Sequence, residues 1–357
     1  MANMVKNFQA VADRLENAIA HRVTPCAALE VGHANGVHWE HSCGRLTYAE
    51  HAPLATLDTV FDLASLTKVI ATTTLLMKLV DRDAIKLDDR VQRWLPAWRS
   101  EEKTVVTIAD LLEHTSGLTA HLPFYRDLRG RAEFEHAICT LPLEYLPRHQ
   151  SIYSDLGFIL LAFIVADASG GTSMSTQFSE IVNDLALGDL CFRPPDTWRL
   201  RTAPTEVDPW RGRLLVGEVH DENGWALGGV AGHTGLFGTI RSVGRFARVV
   251  LRTLSGERQL VQSSTLARFR QKSTVPGSSR ALGWDRMLTT SSCGHRLSHD
   301  AIGHTGFTGT SLWIDHRQNL YVVLLTNRVH PTRRNQSIFQ LRPALHDAIV
   351  EALTPER

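Results

Sequence analysis

The chain reads as a mixed α/β (α+β) protein. One antiparallel sheet is contributed by both ends of the chain and flanked by the terminal helices, with a large helical domain inserted between. Three observations predict this. Strand-like segments cluster near the N-terminus and again in the last third. Helical periodicity dominates the stretch between them. At 357 residues the chain exceeds what one compact core usually holds. The expected division is an α/β domain of residues 1–64 and 275–357 and a mainly helical domain of residues 65–274, with a cleft between them.

The opening segment places Val5, Phe8, Val11, Leu15 and Ile19 on one side of an amphipathic helix. "PCAALEVGHANGVHWEHSCGRL" follows, two half-buried strands around the turn Ala34-Asn35-Gly36. A helix is expected from about Ser65 to Val80. That span lacks Gly and Pro and carries Val69, Thr72, Leu76 and Leu79 at helical intervals. "LDDRVQRWLP", "TIADLLEHTSGL", "RAEFEHAICTL" and "DLGFILLAFIVADASG" continue as helical or irregular pieces. Residues 172–230 are rich in Pro, Gly, Asp and Trp and read as loop-dominated. "SVGRFARVVLRTL" and "SSTLARFRQK" return to helix. "ALGWDRM", "AIGHTGF", "GTSLWIDH" and "LYVVLLTNR" read as successive strands, the last two joined by a tight turn at "RQN". "NQSIFQLRPALHDAIVEAL" closes the chain as a helix.

Composition excludes several function classes. The 38 basic and 37 acidic residues leave a net charge of +1, and no Lys/Arg run stands out. Neither nucleic acid nor a membrane surface is therefore an expected partner. The cysteines at 26, 43, 139, 191 and 293 are odd in number and form no C-x-x-C pair, so neither a disulfide scaffold nor a Cys-rich metal site is expected. The N-terminal segment lacks the apolar core and cleavage site of a signal peptide, and the expected location is cytoplasmic, or periplasmic if a leader has been removed. No apolar run approaches the ~18 residues of a membrane span.

Against that background "FDLASLTKVIATT" is unusual. Lysines are scarce, yet Lys68 stands one turn after Ser65 at the head of an apolar helix. A serine hydroxyl needs a base within hydrogen-bond reach and a polarising site for the oxyanion it creates. Positions i and i+3 share a helix face, and a helix N-terminus adds free N–H groups. The spacing alone decides nothing, because "SEEK" at 100–103 matches it too. That copy sits among acids with no apolar helix behind it and reads as a solvated loop. The bland reading of Ser65 is a helix cap beside a surface lysine.

Two further motifs favour chemistry. Tyr153-Ser154-Asp155 precedes the apolar helix "LGFILLAFIVA", and His304-Thr305-Gly306 lies in a strand edged by small residues. In order, spacing and context the chain resembles the serine β-lactamases of class C, the penicillin-binding DD-peptidases and their esterase relatives. The resemblance covers nearly the whole chain and implies a β-lactamase/transpeptidase-like fold with its active site in the cleft. It implies Ser65 as acylated nucleophile, Lys68 as proton shuttle and Tyr153 as the residue relaying the proton to the leaving group. It further implies backbone N–H groups of Ser65 and Phe307 as oxyanion hole, and Asp155, His304, Thr305 and Gly306 as substrate-binding residues. No cofactor or metal is implied, and the partner is a small-molecule or peptide substrate: a D-amino-acid peptide, a peptidoglycan fragment, a small ester or, weakly, a β-lactam.

Two positions depart from the pattern. Asp155 stands where Asn is usual, and an ion pair with Lys68 would hold the lysine charged and favour Tyr153 as base. His304 stands where many relatives carry Lys. An unperturbed histidine gains charge only as pH falls through about 6.5, so anionic substrates are expected to bind better toward pH 6. Asp155 is expected to repel such anions. "GEVHDEN" at 217–223 is expected to rim the cleft, with His233 and Trp225 beside it and His114 in a structural hydrogen bond. A different class, a non-catalytic binding or sensor protein that kept the pocket, is separated from an enzyme by whether Ser65 reacts with an acylating probe.

Overall fold

Strands β1 (Cys26–His33), β2 (Gly36–Gly44), β3 (Phe61–Asp62), β4 (Leu190–Phe192), β5 (Val207–Asp208), β6 (Arg213–Leu214), β7 (Leu236–Gly238), β8 (Asp285–Arg286), β9 (Ile302–Thr305), β10 (Ser311–Asp315) and β11 (Leu320–Thr326) order this computed structural model, which describes residues 8–354. Among the described residues, six of these strands pair into a sheet of order β2-β1-β11-β10-β9-β8. The first hairpin meets the last strand, Ala27 opposite Thr326, so the two ends of the chain close one sheet, antiparallel throughout.

Strand alternation sets what covers each face. Ala27, Leu29 and Val31 of β1 and Val322 and Leu324 of β11 point to one side, onto Val11 and Leu15 of the helix Gln9–Ala20 and Leu345 and Ile349 of the helix Ile338–Leu353. Phe8 joins them, whereas Val5 lies outside the described residues. Ala28, Val323 and Leu325 face the other way, into the larger core shared with Phe246 and Val250 of the helix Ile240–Leu254. The segment expected to be helical, 65–274, thus supplies a helix that packs on the sheet.

The rest of that segment surrounds the helix Asp155–Ala168, whose residues Leu156 through Val165 are all buried. An apolar surface all round the helix places it at the centre of its layer. Its N-terminus is capped by Ser154, whose hydroxyl accepts from the Gly157 N–H. A capping box of Thr107 and Asp110 starts the neighbouring short helix Ile108–Leu112.

Three expectations are corrected here. The loop-dominated reading of residues 172–230 missed a helix: Met174–Asp184, capped by Ser173 and buried through Phe178, Ile181 and Val182. β4, β7 and β3 add a small second sheet that alternation did not reveal because its strands are so short. "SEEK" is not a solvated loop: Lys103 is buried, donates to the Cys139 carbonyl at 2.6 Å and lies 5.0 Å from the centre of the Trp98 ring. Its alkyl stem packs while its ammonium finds a carbonyl, which charge pattern alone cannot show.

Candidate active site

The turn that carries Ser65 is built by β3. After Asp62 the chain leaves the strand, Ala64 adopts φ 47°, and a helical turn begins at Leu66. The buried Asp62 carboxylate fixes that turn by accepting from the Ala64 N–H at 2.8 Å and the His220 N–H at 2.7 Å. Residues Lys68–Thr73 then form a π-helical stretch before the α-helix Thr74–Asp81. Such stretches are uncommon and recur at functional sites.

Ser65 and Lys68 share one side of this turn, as the spacing predicts. Lys68 Nζ is 3.1 Å from Ser65 Oγ. It also donates to Asp155 Oδ1 at 2.7 Å and to the His233 carbonyl at 3.2 Å, which occupies its three N–H groups. Burial alone would push the Lys68 pKa down, but Asp155 and Tyr153 outweigh it and leave it raised. The ammonium form is therefore the resting one, as the Asp155 ion pair implied.

Tyr153 approaches from the other side. Its hydroxyl donates to Ser65 Oγ at 2.9 Å. Burial raises its pKa, with the Lys68 charge opposing, so the resting group is a phenol. The His114 ring packs tilted against the Tyr153 ring at 4.8 Å and accepts from the Ser154 N–H, which makes it the structural residue expected. His114 is itself in the left-handed region at φ 59°.

The third wall is β9 and the turn after it. His304, Thr305, Gly306 and Phe307 line a cavity of about 590 Å³ together with Ser65, Tyr153 and Asp155. Thr310 Oγ1 donates to the Leu63 carbonyl and Thr308 Oγ1 to the Asp62 carbonyl, tying this turn to the one that carries Ser65. A Cβ on Gly306 would lie 2.0 Å from Thr310 Oγ1 and 2.6 Å from the Leu63 carbonyl oxygen. Gly306→Ala is expected to cost about 1–3 kcal/mol and to part the two turns. Chemical denaturation together with the acylation rate of Ser65 checks this. A variant that matches the parent in both contradicts the fit.

Neither the Ser65 N–H nor the Phe307 N–H has a hydrogen-bond partner among the described residues. Two unspent donors beside a serine flanked by a lysine and a tyrosine are the parts an acyl-transfer site needs. A family model described as Beta-lactamase matches residues 11–345. The chain belongs to the beta-lactamase family. It is 31% identical over 324 residues to a protein of Salmonella gallinarum (strain 287/91 / NCTC 13346) named "Putative D-alanyl-D-alanine carboxypeptidase", covering 82% of this chain and 74% of that one. Among solved structures it is similar to EstCE1, a hydrolase with promiscuous acyltransferase activity, with TM-score 0.77, 19% identity and 98% of each chain covered. It is also similar to a class C beta-lactamase from Rhodobacter sphaeroides, with TM-score 0.76, 19% identity and coverage of 97% of this chain and 99% of that one. At such identity the structural likeness shows the fold, which is β-lactamase/transpeptidase-like.

In this beta-lactamase family member the expected charge switch at His304 is corrected. The imidazole is buried, with Nδ1 2.8 Å from the Thr305 carbonyl and so donating to it, and Nε2 without a partner among the described residues. Burial first, then the neighbouring charges of Lys68 and Arg280, hold its pKa well below the usual histidine range. His304 is expected to stay neutral from about pH 8 to 6, and its ring ¹⁵N shifts measure this. A titration within that range would restore the switch.

"GEVHDEN" does rim the cavity, through His220, Asp221 and Glu222. His220 bonds Glu206 at 2.9 Å and stacks on the Phe307 ring, while Asp221 bonds His233 at 3.0 Å. The three side chains thus diverge to separate partners, and no group suited to a metal occurs among the described residues. Two neighbours fall outside expectation. The His233 side chain is buried and serves the site through its carbonyl, and Trp225 packs on Trp210 away from the cavity.

The sequence reading missed the arginines. Arg280, Arg328, Arg333 and Arg342 all line the cavity. Arg280 lies over the Tyr153 ring at 5.0 Å, and Arg342 donates to the Gly306 and Thr310 carbonyls at 2.7 and 2.8 Å. No short motif announces them. The only hint was the arginine-rich run "NRVHPTRRN" that follows β11.

Proposed function

We propose that this chain is a serine hydrolase that forms an acyl-enzyme on Ser65 and cleaves an ester or amide. The observation that carries this is the convergence of Lys68 Nζ and Tyr153 OH on Ser65 Oγ at the wall of a cavity. At rest the pair holds both protons, on the ammonium and the phenol. Loss of one proton from the pair leaves a phenolate beside the Lys68 ammonium, which Asp155 keeps in place. The phenolate takes the Ser65 proton as Oγ bonds to the substrate carbonyl carbon. The oxyanion is received by the Ser65 and Phe307 N–H groups, and Tyr153 returns the proton to the leaving group as its bond to that carbon breaks. Water then cleaves the Ser65 ester by the same path in reverse.

The Salmonella relative's name and the hydrolase neighbour support two substrate classes: peptides ending in D-amino acids, and small esters. One preparation screened against short acyl esters, D-Ala-D-Ala peptides and a chromogenic cephalosporin separates them. Turnover in any arm supports an enzyme. Failure in every arm, with no labelling by a fluorophosphonate, favours a non-catalytic binding protein.

The Asp155 ion pair makes a signed prediction. Asp155→Asn removes the charge that outweighs burial, so the Lys68 pKa falls and the proton pair loses its first proton at lower pH. The rising limb of acylation by a neutral ester should move toward acid by about one pH unit or more. The profile measured from about pH 5 to 10 checks it. An unmoved limb, or a slower variant at every pH, would make Asp155 an integral partner of Lys68.

A further inference from the structure

We propose that Thr67 and Arg342 are positioning residues for acyl transfer, each acting through the back of a peptide unit whose N–H receives the oxyanion. The inference rests on the serine-hydrolase reading of the same site and deepens it. The Ser65 N–H shares its peptide unit with the Ala64 carbonyl, and the Phe307 N–H shares its unit with the Gly306 carbonyl. Both units are trans, so each carbonyl points opposite to its N–H. The two N–H groups have no partner among the described residues, whereas each carbonyl has two.

The Ala64 carbonyl accepts from the Thr67 hydroxyl at 2.6 Å and from the Thr67 N–H at 3.0 Å. The Gly306 carbonyl accepts from Arg342 Nη2 at 2.7 Å and from the Gly309 N–H at 3.0 Å. One backbone N–H thus already satisfies each carbonyl, and the side-chain donor is added to it. Both side chains are buried and tied a second time. Thr67 Oγ1 accepts from the Leu236 N–H of β7 at 3.1 Å, and Arg342 Nη2 also donates to the Thr310 carbonyl at 2.8 Å. Neither can turn away without breaking another bond.

The consequence is electrostatic as well as geometric. Hydrogen bonds in a chain polarise one another, and more so where water is excluded. A donor on the carbonyl side of a peptide unit therefore strengthens the N–H on its other side. Arg342 adds a charge-assisted bond to this effect. Burial and then the Arg328 charge push its pKa down to about 9, which leaves it charged at neutral pH. A buried guanidinium is a costly donor for a carbonyl that Gly309 already satisfies, and structure alone gives no return for it. Two donors from unrelated elements, the turn after Ser65 and the helix Ile338–Leu353, thus back the two halves of one oxyanion hole.

The test separates transition-state stabilisation from folding. Thr67→Val removes the hydroxyl and keeps the backbone N–H, and Arg342→Met removes the guanidinium. Single-turnover acylation by a short neutral ester gives the rate constant and the ester's dissociation constant separately. A boronic acid with the same acyl skeleton, which binds serine hydrolases as a tetrahedral anion, reports the oxyanion hole directly. Each variant is expected to acylate at least about tenfold more slowly, with ester binding within about twofold of the parent. Boronic acid affinity should fall by a matching factor. Thr67→Ser, which returns the hydroxyl, should recover to within about threefold of the parent. Parent-like acylation in folded Thr67→Val, or in folded Arg342→Met, overturns the proposal for that residue. Arg342→Gln, which also removes the charge, decides in the same way should Arg342→Met not fold. Slower acylation without a matching loss of boronic acid affinity overturns it as well. Fluorophosphonate labelling of the parent separates the two readings. An unlabelled parent removes the hydrolase and this proposal with it, whereas a labelled parent with parent-like variants removes the positioning role alone.

Discussion

Ser65→Ala protein is expected to lose turnover by about four or more orders of magnitude while folding as the parent does. Ser65 Oγ is the one atom on which both Lys68 and Tyr153 converge, and no second hydroxyl is bonded to either of them among the described residues. The side chain contributes little to the fold. It caps no helix, and the turn around it is held by the carboxylate of Asp62 and by backbone hydrogen bonds. Steady-state hydrolysis of the best substrate from the screen, paired with thermal melting, reads both halves of the prediction. Parent-like turnover in the alanine variant removes Ser65 from the chemistry altogether. The "SEEK" serine is not a substitute, because its lysine is committed to the Cys139 carbonyl.

Tyr153→Phe is expected to be nearly as damaging as Lys68→Ala, about 10² to 10⁴ in acylation rate, the usual worth of a general base. The argument is a proton inventory. Lys68 rests as an ammonium whose three donors are already placed, so it cannot accept the Ser65 proton until it has lost its own. Tyr153 also rests protonated and donates to the same oxygen, but once the pair has lost the phenol's proton, with Asp155 holding the ammonium on Lys68, it accepts without moving. Phenylalanine keeps the ring that packs on His114 and removes only the hydroxyl. Single-turnover acylation by a neutral ester isolates the step. More than half of the parent rate in Tyr153→Phe would pass the base role to Lys68.

How much of this was legible in sequence depends on whether the information is local. Ser65, Lys68 and Tyr153 could be read because their relations are fixed by one helical turn and by the start of a second helix. The long strands could be read because they are short runs rich in apolar residues bounded by turn signals, and the helix Ile240–Leu254 because its apolar residues keep a helical interval. The state of His304 could not be read. It is set first by a burial that motif context does not express, and then by Lys68 and Arg280, which reach it from other parts of the chain. The four cavity arginines were hidden for the same reason. Each is an ordinary arginine until the fold shows which groups its guanidinium reaches. Met174–Asp184 was different: Ser173 as cap, then Phe178, Ile181 and Val182 on one face, was a local signal masked by the Gly and Pro around it.

The account's central claim is that Ser65 is the acylated atom, and the most direct measurement is the mass of the protein after reaction with a fluorophosphonate. The expected result is one adduct per chain, mapped by proteolysis to the peptide containing Ser65, with no adduct on Ser65→Ala protein under the same conditions. An adduct mapped to any other residue, or an unmodified parent under conditions that label a control serine hydrolase, would contradict it.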